Sequence, residues 1–526
     1  MRWTQQKTQS LTRIALVLGI LILVNIISIR FFTRIDLTKE KLYTLADASK
    51  NLVRSLDDKL VVKAYFTEDL PSPYNNNRRF VQDELDDYRA YSNRNLQYEF
   101  INPSDEKTEQ EAQRYGIPPV QVQVINNEKL EVKKAYMGMV FLYEDKQEII
   151  PVVQRTENLE YEISSTIKRI TSKTMKKIGF LTGHKEPTFE NLKNVRTVLS
   201  KQYQLTTVDV SGGKSVPNDV SALVVLAPET KFTENEKYQI DQYIMRGGRV
   251  AFLINKIQAS LQTQYGQPLD LNLDDLLQQY GVRVNNDLVR DVQCASVTVM
   301  QQQGFITFQN RVPFPYLPLA SDFNKNNMIV KDLQGIVFVF VSSIDTSSAL
   351  QKGSKAEVLV RSSKRSGRQQ GFFIINPLQR LTDEAFHESR IPLAVAVEGK
   401  FQSLYANKPV PTDTTIKVPI TIQTIPVSSD NRMVVVGDGD FVKDEYLGGM
   451  DNLNFFANMI DWLVDDAGLI TIRSRAVDTR PLEEVSDGAK RFIKYGNLIV
   501  PPLAVVIYGL VRWRLRAARK RSLQLS

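Results

Sequence analysis

Two uncharged apolar runs, one near each end of the chain, constrain its folding more than any other feature. The first runs from Ile14 to Ile29, between Arg13 and Arg30, and Leu11, Phe31 and Phe32 extend its character. A helix needs about 20 mainly apolar residues to cross the hydrocarbon core. This stretch reaches that length if Arg13 and Arg30 stretch back to the interfaces. The competing reading is a cleaved signal peptide. Bulky Arg30-Phe31-Phe32 then stands where a small-residue cleavage site is expected, which argues for an anchor. The second run lies between Lys494 and Arg512 and reads YGNLIVPPLAVVIYGLV. Tyr495 and Tyr508 suit the interfaces. The run is short, and Pro501-Pro502 would bend it, so a buried C-terminal helix is the alternative. Arg512, Arg514, Arg516, Arg519, Lys520 and Arg521 follow at once. Such a cluster holds a tail in the cytoplasm.

Orientation rests on that tail, because the charges around the first run nearly balance: Arg2, Lys7 and Arg13 before it, Arg30, Arg34, Lys39 and Lys41 after it. The expected plan is therefore a cytoplasmic N-terminus over 1–13, a span over 14–32, a span over 495–511 and a basic cytoplasmic tail over 512–526. Both termini are cytoplasmic, and the bulk lies outside the cytoplasmic membrane of a bacterium, in the periplasm. With 526 residues the chain is too long for one ordinary domain. Hydrophobic residues at 42% and charged residues at 24% let most of it bury a core. Much of the net charge of +8 sits at the termini, so it speaks for topology and no nucleic-acid partner is expected. Cys294 is alone, which excludes an internal disulfide and a Cys-rich zinc site.

Between the spans the pattern predicts two α/β units. In 35–172, LVVKAYF (60–66) and NLQYEFI read as strands, with an amphipathic helix over 78–91 between them. A helix runs from Ser104 to Gly116. Strands follow at 120–125, 136–143 and 148–153, then a helix over 157–170. Pro118-Pro119 precedes the third strand, as in a thioredoxin-like arrangement. No cysteine stands in the loop after Phe66, so dithiol chemistry is excluded; a generic α/β binding domain is the alternative. In 176–470 buried strands alternate with helices, which argues a parallel sheet covered on both faces. Thr233 and Glu236 match a capping box, and Gly247-Gly248 a helix stop. The sheet resumes at RMVVVGDGDF (432–441), leaving an inserted lobe at about 256–430.

Few residues suggest chemistry. His184 and Glu186, in TGHKEP at the end of a strand, form a possible ligand loop. Asp438 and Asp440 are possible paired carboxylates, or they bond the backbone of a Gly-Asp turn. His387 reads as a surface residue and Cys294 as a small buried one. Phe314 and Tyr316, in the proline-rich stretch 313–318, fit either exposed sugar platforms or a packed loop. No metal or cofactor site is expected. No phosphate-binding G-x-x-x-x-G-K-[ST] loop occurs, so ATP hydrolysis by that route belongs to another chain.

The segments TRIDLTKEKLYTLADASKNLVRSLDD, TGHKEP, YQIDQYIMRGGRVAFLIN, SSIDTSS, IPLAVAVEGKF and VVVGDGDFVKDEYLGGMDNLNFFANMIDWL, in this order, resemble the GldG family of gliding-motility-associated ABC transporter auxiliary proteins. The resemblance spans nearly the whole chain. It implies a class I glutamine amidotransferase-like second domain, and an accessory subunit working with an ABC-2-type permease and a separate ATPase. An amidotransferase needs a cysteine at a strand-to-helix elbow; the elbow here reads APETKFT. The expected function is therefore non-enzymatic. The alternatives are an envelope-acting hydrolase using the His184 loop and a polysaccharide- or lipoprotein-binding receptor.

Overall fold

The computed structural model describes residues 44–464, except 69, 71–73, 127–128, 154–155, 157–158, 173, 304–305, 332, 412–423 and 448–450; beyond them it describes 16, 17, 19, 468, 470, 472, 494, 496, 497, 503 and 507–514. Both expected spans fall largely outside the described residues. Among the described residues no helix is long and apolar enough to cross a membrane. The chain divides into two compact units, Met1–Val477 and Asp478–Ser526. In the second, residues 507–514 are helical. Ile507, Tyr508, Leu510, Val511 and Trp513 are each more than half exposed there.

The first unit begins with helix α1 (Asp47–Arg54) and strand β1 (Leu60–Phe66). Helix α2 (Asn77–Tyr91) buries Val81, Leu85 and Tyr88 at helical spacing and leads to β2 (Leu96–Ile101). Helix α3 (Glu106–Arg114) starts from Asp105, whose carboxylate accepts from the Thr108 amide. The cap is thus one residue later than Ser104. A hairpin of β3 (Val120–Asn126) and β4 (Lys129–Ala135) follows, then β5 (Met137–Tyr143), β6 (Lys146–Ile150) and α4 (Leu159–Thr171). The sheet order is β2-β1-β5-β6. β1 runs parallel to β2 and antiparallel to β5. The strand expected third lies outside this sheet, paired with β4, which the sequence reading had not placed. The reason is composition. The Val/Gln alternation of β3 suits a half-exposed ribbon, whereas MGMVFLY is apolar throughout and takes a buried inner place.

The larger lobe is built on one eight-stranded sheet. Strands β7 (Lys177–Thr182), β8 (Gln204–Asp209), β9 (Val220–Leu226) and β10 (Arg249–Leu253) are parallel. The late strand Val427–Val436 joins β10 in parallel, as RMVVVGDGDF predicts. Three more strands extend the sheet antiparallel: Pro392–Gln402, Ser354–Arg361 and Asp322–Phe323. The segment 256–430 is therefore not wholly a separate insertion, because its later part returns to the sheet. Residues 393–397 are buried on both faces, as an inner strand demands.

Helices cover both faces. Alternate residues of each strand point to opposite sides. Ala222, Val224 and Leu226 face a core shared with helices α5 (Lys193–Leu199) and Asn452–Leu463. Leu223 and Val225 face α6 (Glu234–Met245) and the helix Asp274–Gln279. Asp444, some 250 residues from α5 in sequence, caps that helix. Its oxygens accept from the Lys193 amide at 2.8 Å and the Asn194 amide at 3.1 Å. Burial raises the Asp444 carboxyl, but these bonds outweigh it and hold it below the usual range. Asp444→Ala is expected to cost about 1–2 kcal/mol in chemical denaturation, the range for a lost cap. An unchanged midpoint would show that the cap contributes nothing.

Gly468 lies beside α1, so close that a Cβ on it would stand 3.4 Å from that of Ala48. Ile470 and Ile472 are buried.

Candidate functional site

Topology sets the position of the crevice. β7 and β9 are neighbours, and the chain leads from β7 to β8 on one side and from β9 to β10 on the other. Open α/β sheets bind ligands at the carboxyl ends of such strands. Here the loop after β7 carries His184 and Glu186, and the loop after β9 carries Ala227 and Glu229.

The loops are bound together. The amides of Glu229 and Thr230 donate to the His184 carbonyl at 2.8 and 3.2 Å. Gly183 at φ +121° and Lys185 at φ +63° turn the backbone to allow it. The imidazole, 4% exposed, stacks on Phe232 with centroids 3.7 Å apart and planes 14° off parallel. Nε2 lies 3.3 Å from a Glu236 oxygen, and Nδ1 lies 3.4 Å from Glu186 Oε1. Glu186 uses its other oxygen to accept from the His184 amide at 2.7 Å. Burial lowers the histidine's proton affinity, but the two carboxylates outweigh it and hold its pKa above the ordinary value. Glu236 is held below the usual range: burial raises it, while bonds from Thr233 and the imidazole overcome that effect. The sequence revealed Glu236 only as a capping residue. The capping box is present, and the same carboxylate also serves His184.

The Gly-Asp-Gly-Asp turn lies at the same edge, after Val436. Asp438 is fully buried. Its oxygens accept from the Val339 amide at 2.7 Å and the Asp440 amide at 2.6 Å. Burial, with the neighbouring Asp440 charge, pushes the Asp438 carboxyl up. Asp440 pairs with Lys443 at 2.6 Å. The two aspartates therefore have different jobs, one as a backbone acceptor and one as an ion-pair partner. They bond their own turn and the 339 segment. The glycines are needed for contact: a Cβ on Gly439 would lie 2.7 Å from that of Ala227 and 2.8 Å from the Leu253 oxygen.

Ala227 stands where a strand-end elbow would present a nucleophile. Its φ is +44°, unfavourable for any residue with a Cβ. The amide donates to Leu253 O at 2.8 Å, and Gly439 packs against its side chain. The elbow conformation is held in place, and its side chain is a methyl group. Next to it a cleft of about 420 Å³ opens, lined by Glu186, Glu190, Lys193, Glu229 and Lys443 among others.

The other residues singled out lie elsewhere. Cys294 begins an antiparallel strand, is half-buried, and has a thiol pushed up by burial, the reverse of an activated nucleophile. His387 is exposed, with Nδ1 2.8 Å from Glu384 O. Phe314 and Tyr316 are 1% and 3% exposed, so they form packed core and not a sugar platform. Among the described residues no group of three or more His, Cys, Asp or Glu is placed to hold a metal ion.

Comparison with known proteins places this geometry in context. Residues 175–465 match the family model of an ABC-type uncharacterized transport system, and residues 39–142 match a domain of unknown function. An uncharacterized protein of Borreliella burgdorferi is 24% identical over 506 residues, covering 93% of this chain and 94% of its own. Among solved structures, the mmIFT52 N-terminal domain aligns over 55% of this chain and 97% of its own at 17% identity, with a TM-score of 0.32. The exo-β-1,4-mannosidase Op5Man5 of an Opitutaceae bacterium aligns over 63% and 41% at 11% identity, with a TM-score of 0.22. Scores this low carry no fold assignment. The family match covers more than half of the chain, and the chain belongs to the family of auxiliary components of ABC-type transport systems.

Proposed function

We propose that this auxiliary component is a non-catalytic subunit anchored in a bacterial cytoplasmic membrane by two spans, with its folded lobes in the periplasm and both termini in the cytoplasm. Its partners are an ABC-2-type permease and a separate ATPase, in a complex serving gliding motility. The observation that carries the non-catalytic reading is the set of residues at the crevice. Where an amidotransferase-like sheet would hold a nucleophile, Ala227 offers a methyl group. Both nitrogens of His184 face carboxylates, and its carbonyl ties the two loops together. A hydrolase acting through this loop would need a free base, and His184 is committed to packing.

Three features support the anchoring. Gly468, on the way to the second apolar run, lies beside α1, which follows the first run. Within this unit, described residues that follow the first run and precede the second are therefore neighbours. Helix 507–514 has apolar side chains exposed around its circumference, which suits a lipid environment. The basic cluster that begins at Arg512, in the last turn of this helix, suits the cytoplasmic side. The strand order β2-β1-β5-β6, with β1 and β2 parallel and β5 and β6 antiparallel, supports a thioredoxin-like first domain. The parallel centre of the large sheet supports the amidotransferase-like second. Coupling to ATP hydrolysis then passes through contacts between folded parts.

The test is affinity purification of the full-length chain from membranes in mild detergent. A multi-span permease and an ATPase are expected in stoichiometric amounts, and removal of either apolar run is expected to abolish their recovery. Recovery of the chain alone, or unchanged recovery with an anchorless variant, would overturn the subunit reading.

A further inference from the structure

We propose that the outer face of a small three-stranded sheet in the inserted segment binds a neutral polysaccharide. Strands Ile257–Ser260, Tyr265–Pro268 and Phe373–Ile374 form this sheet, with Ser260 opposite Tyr265 and Tyr265 opposite Ile374. Strand alternation sorts the side chains. Ile257, Phe373 and Ile375 point inward and are at most 4% exposed. A Cβ on Gly266 would meet Ile257 and Phe373 within 3 Å, so the inner face is closely packed. The outward set is Gln258, Ser260, Tyr265, Gln267 and Ile374, and Phe372 directly precedes the third strand. Tyr265 is 62% exposed and Phe372 90%. Phe372 is held in position from behind: its carbonyl accepts from the Gln369 amide at 2.7 Å, and the Tyr316 hydroxyl donates to Gln369 Oε1 at 2.5 Å.

Missing charge identifies the occupant. A quarter of this chain is charged, yet no charged residue occurs in 257–269, 292–310 or 369–379. The stretch 292–310 contains a strand of the long hairpin Cys294–Gln303 and Ile306–Ala320. The hairpin packs Phe314 and Tyr316 into the same small core as Ile257 and Phe373. Thus the sheet and the first strand of the hairpin, Cys294–Gln303, are both uncharged and contain glutamine. The side chains on the outer face of the sheet itself offer an ionic ligand no counter-charge. A sugar ring has an apolar C–H face and a rim of hydroxyls that both donate and accept. Exposed aromatic rings pack against the first, and glutamine amides, with two donors and an acceptor, match the second. No buried charge has to lose its water when such a ligand binds.

The test uses the full-length chain in a non-glycosidic detergent, run through native gels containing dextran, laminarin or glucomannan. Retardation by at least one of them is expected, unchanged by added salt because no ion pair is involved. Tyr265→Ala with Phe372→Ala is expected to weaken it by about tenfold or more. Tyr265→Phe with Phe372→Tyr keeps both rings and should keep binding. Both positions are exposed, and matching thermal melts will show that the fold is intact. Absence of retardation in all three glycans overturns the proposal, as does equal retardation of the alanine variant. It also falls if the alanine pair instead abolishes binding to phosphatidylcholine vesicles or self-association, since the face is then a lipid or homotypic surface.

Discussion

Gly437→Ala is expected to destabilise the large lobe by more than about 4 kcal/mol, enough to prevent recovery of a cooperatively folded protein. The cause is space. A Cβ at this position would overlap the carbonyl oxygen of Ser342, a backbone atom that no rotamer change can move. Nor can the strands separate. The Gly437 amide donates to Leu393 O at 3.0 Å, and its carbonyl accepts from Ser342 N at 2.8 Å. Gly437 is thus clamped between an inner strand of the sheet and the 342 segment. Ser342 is itself tied down, because its hydroxyl donates to Asp287 O at 2.7 Å. Gly353 provides the contrast. It has φ +75° with nothing near its missing Cβ, so Gly353→Ala should cost only about 1 kcal/mol from backbone conformation. Chemical denaturation of both variants measures the difference. A Gly437→Ala protein melting within about 1 kcal/mol of the parent would mean that the close approach is not real.

That clamp was only half legible in the sequence. The Gly-Asp-Gly-Asp turn suggested a tight turn, and the aspartates do bond its backbone. What the turn packs against could not be read, because Ser342, Ala227 and Leu253 come from three distant parts of the chain. The same division holds elsewhere. β7, β9 and β10 are continuous apolar runs between turn signals, so local composition revealed them. The capping box at Thr233 and Glu236 is a local pattern and was found, whereas the second use of Glu236, against His184, is tertiary. The return of residues 354–361 and 392–402 to the main sheet was hidden for a similar reason. Strand pairing across long separations leaves no periodic mark, and the whole of 256–430 reads like a separate lobe. The exposed aromatic face is not legible in the sequence, because Tyr265 and Phe372 come from distant parts of the chain. Alternation within Gln-Pro-rich strands cannot say which face is covered until the neighbouring hairpin is placed.

His184→Ala is expected to cost about 3 kcal/mol near pH 6, the lower end of what breaking a buried ion pair costs. The substitution also removes the stack on Phe232 and leaves Glu186 and Glu236 buried without the imidazole between them. The loss should depend on pH in a defined direction. The imidazole's pKa in the folded protein is raised above its ordinary value of about 6.5. The native state therefore holds this proton more tightly than the unfolded chain does. The stability it contributes is complete below about pH 6.5 and is lost as pH rises through the folded value. Glu236 works from the other side. Its lowered pKa contributes stability above the ordinary carboxylate value of about 4.3 and loses it as pH falls through the folded one. The latch is strongest between those limits. Denaturation of the parent and the variant across pH 5–9 should show a gap that narrows as pH rises, with the parent moving toward the variant. A gap that stays constant or widens would mean that the ring is neutral and acts by packing alone. A narrowing gap would show that the crevice is closed by a protonated histidine between two carboxylates, which leaves it no lone pair with which to act as a base.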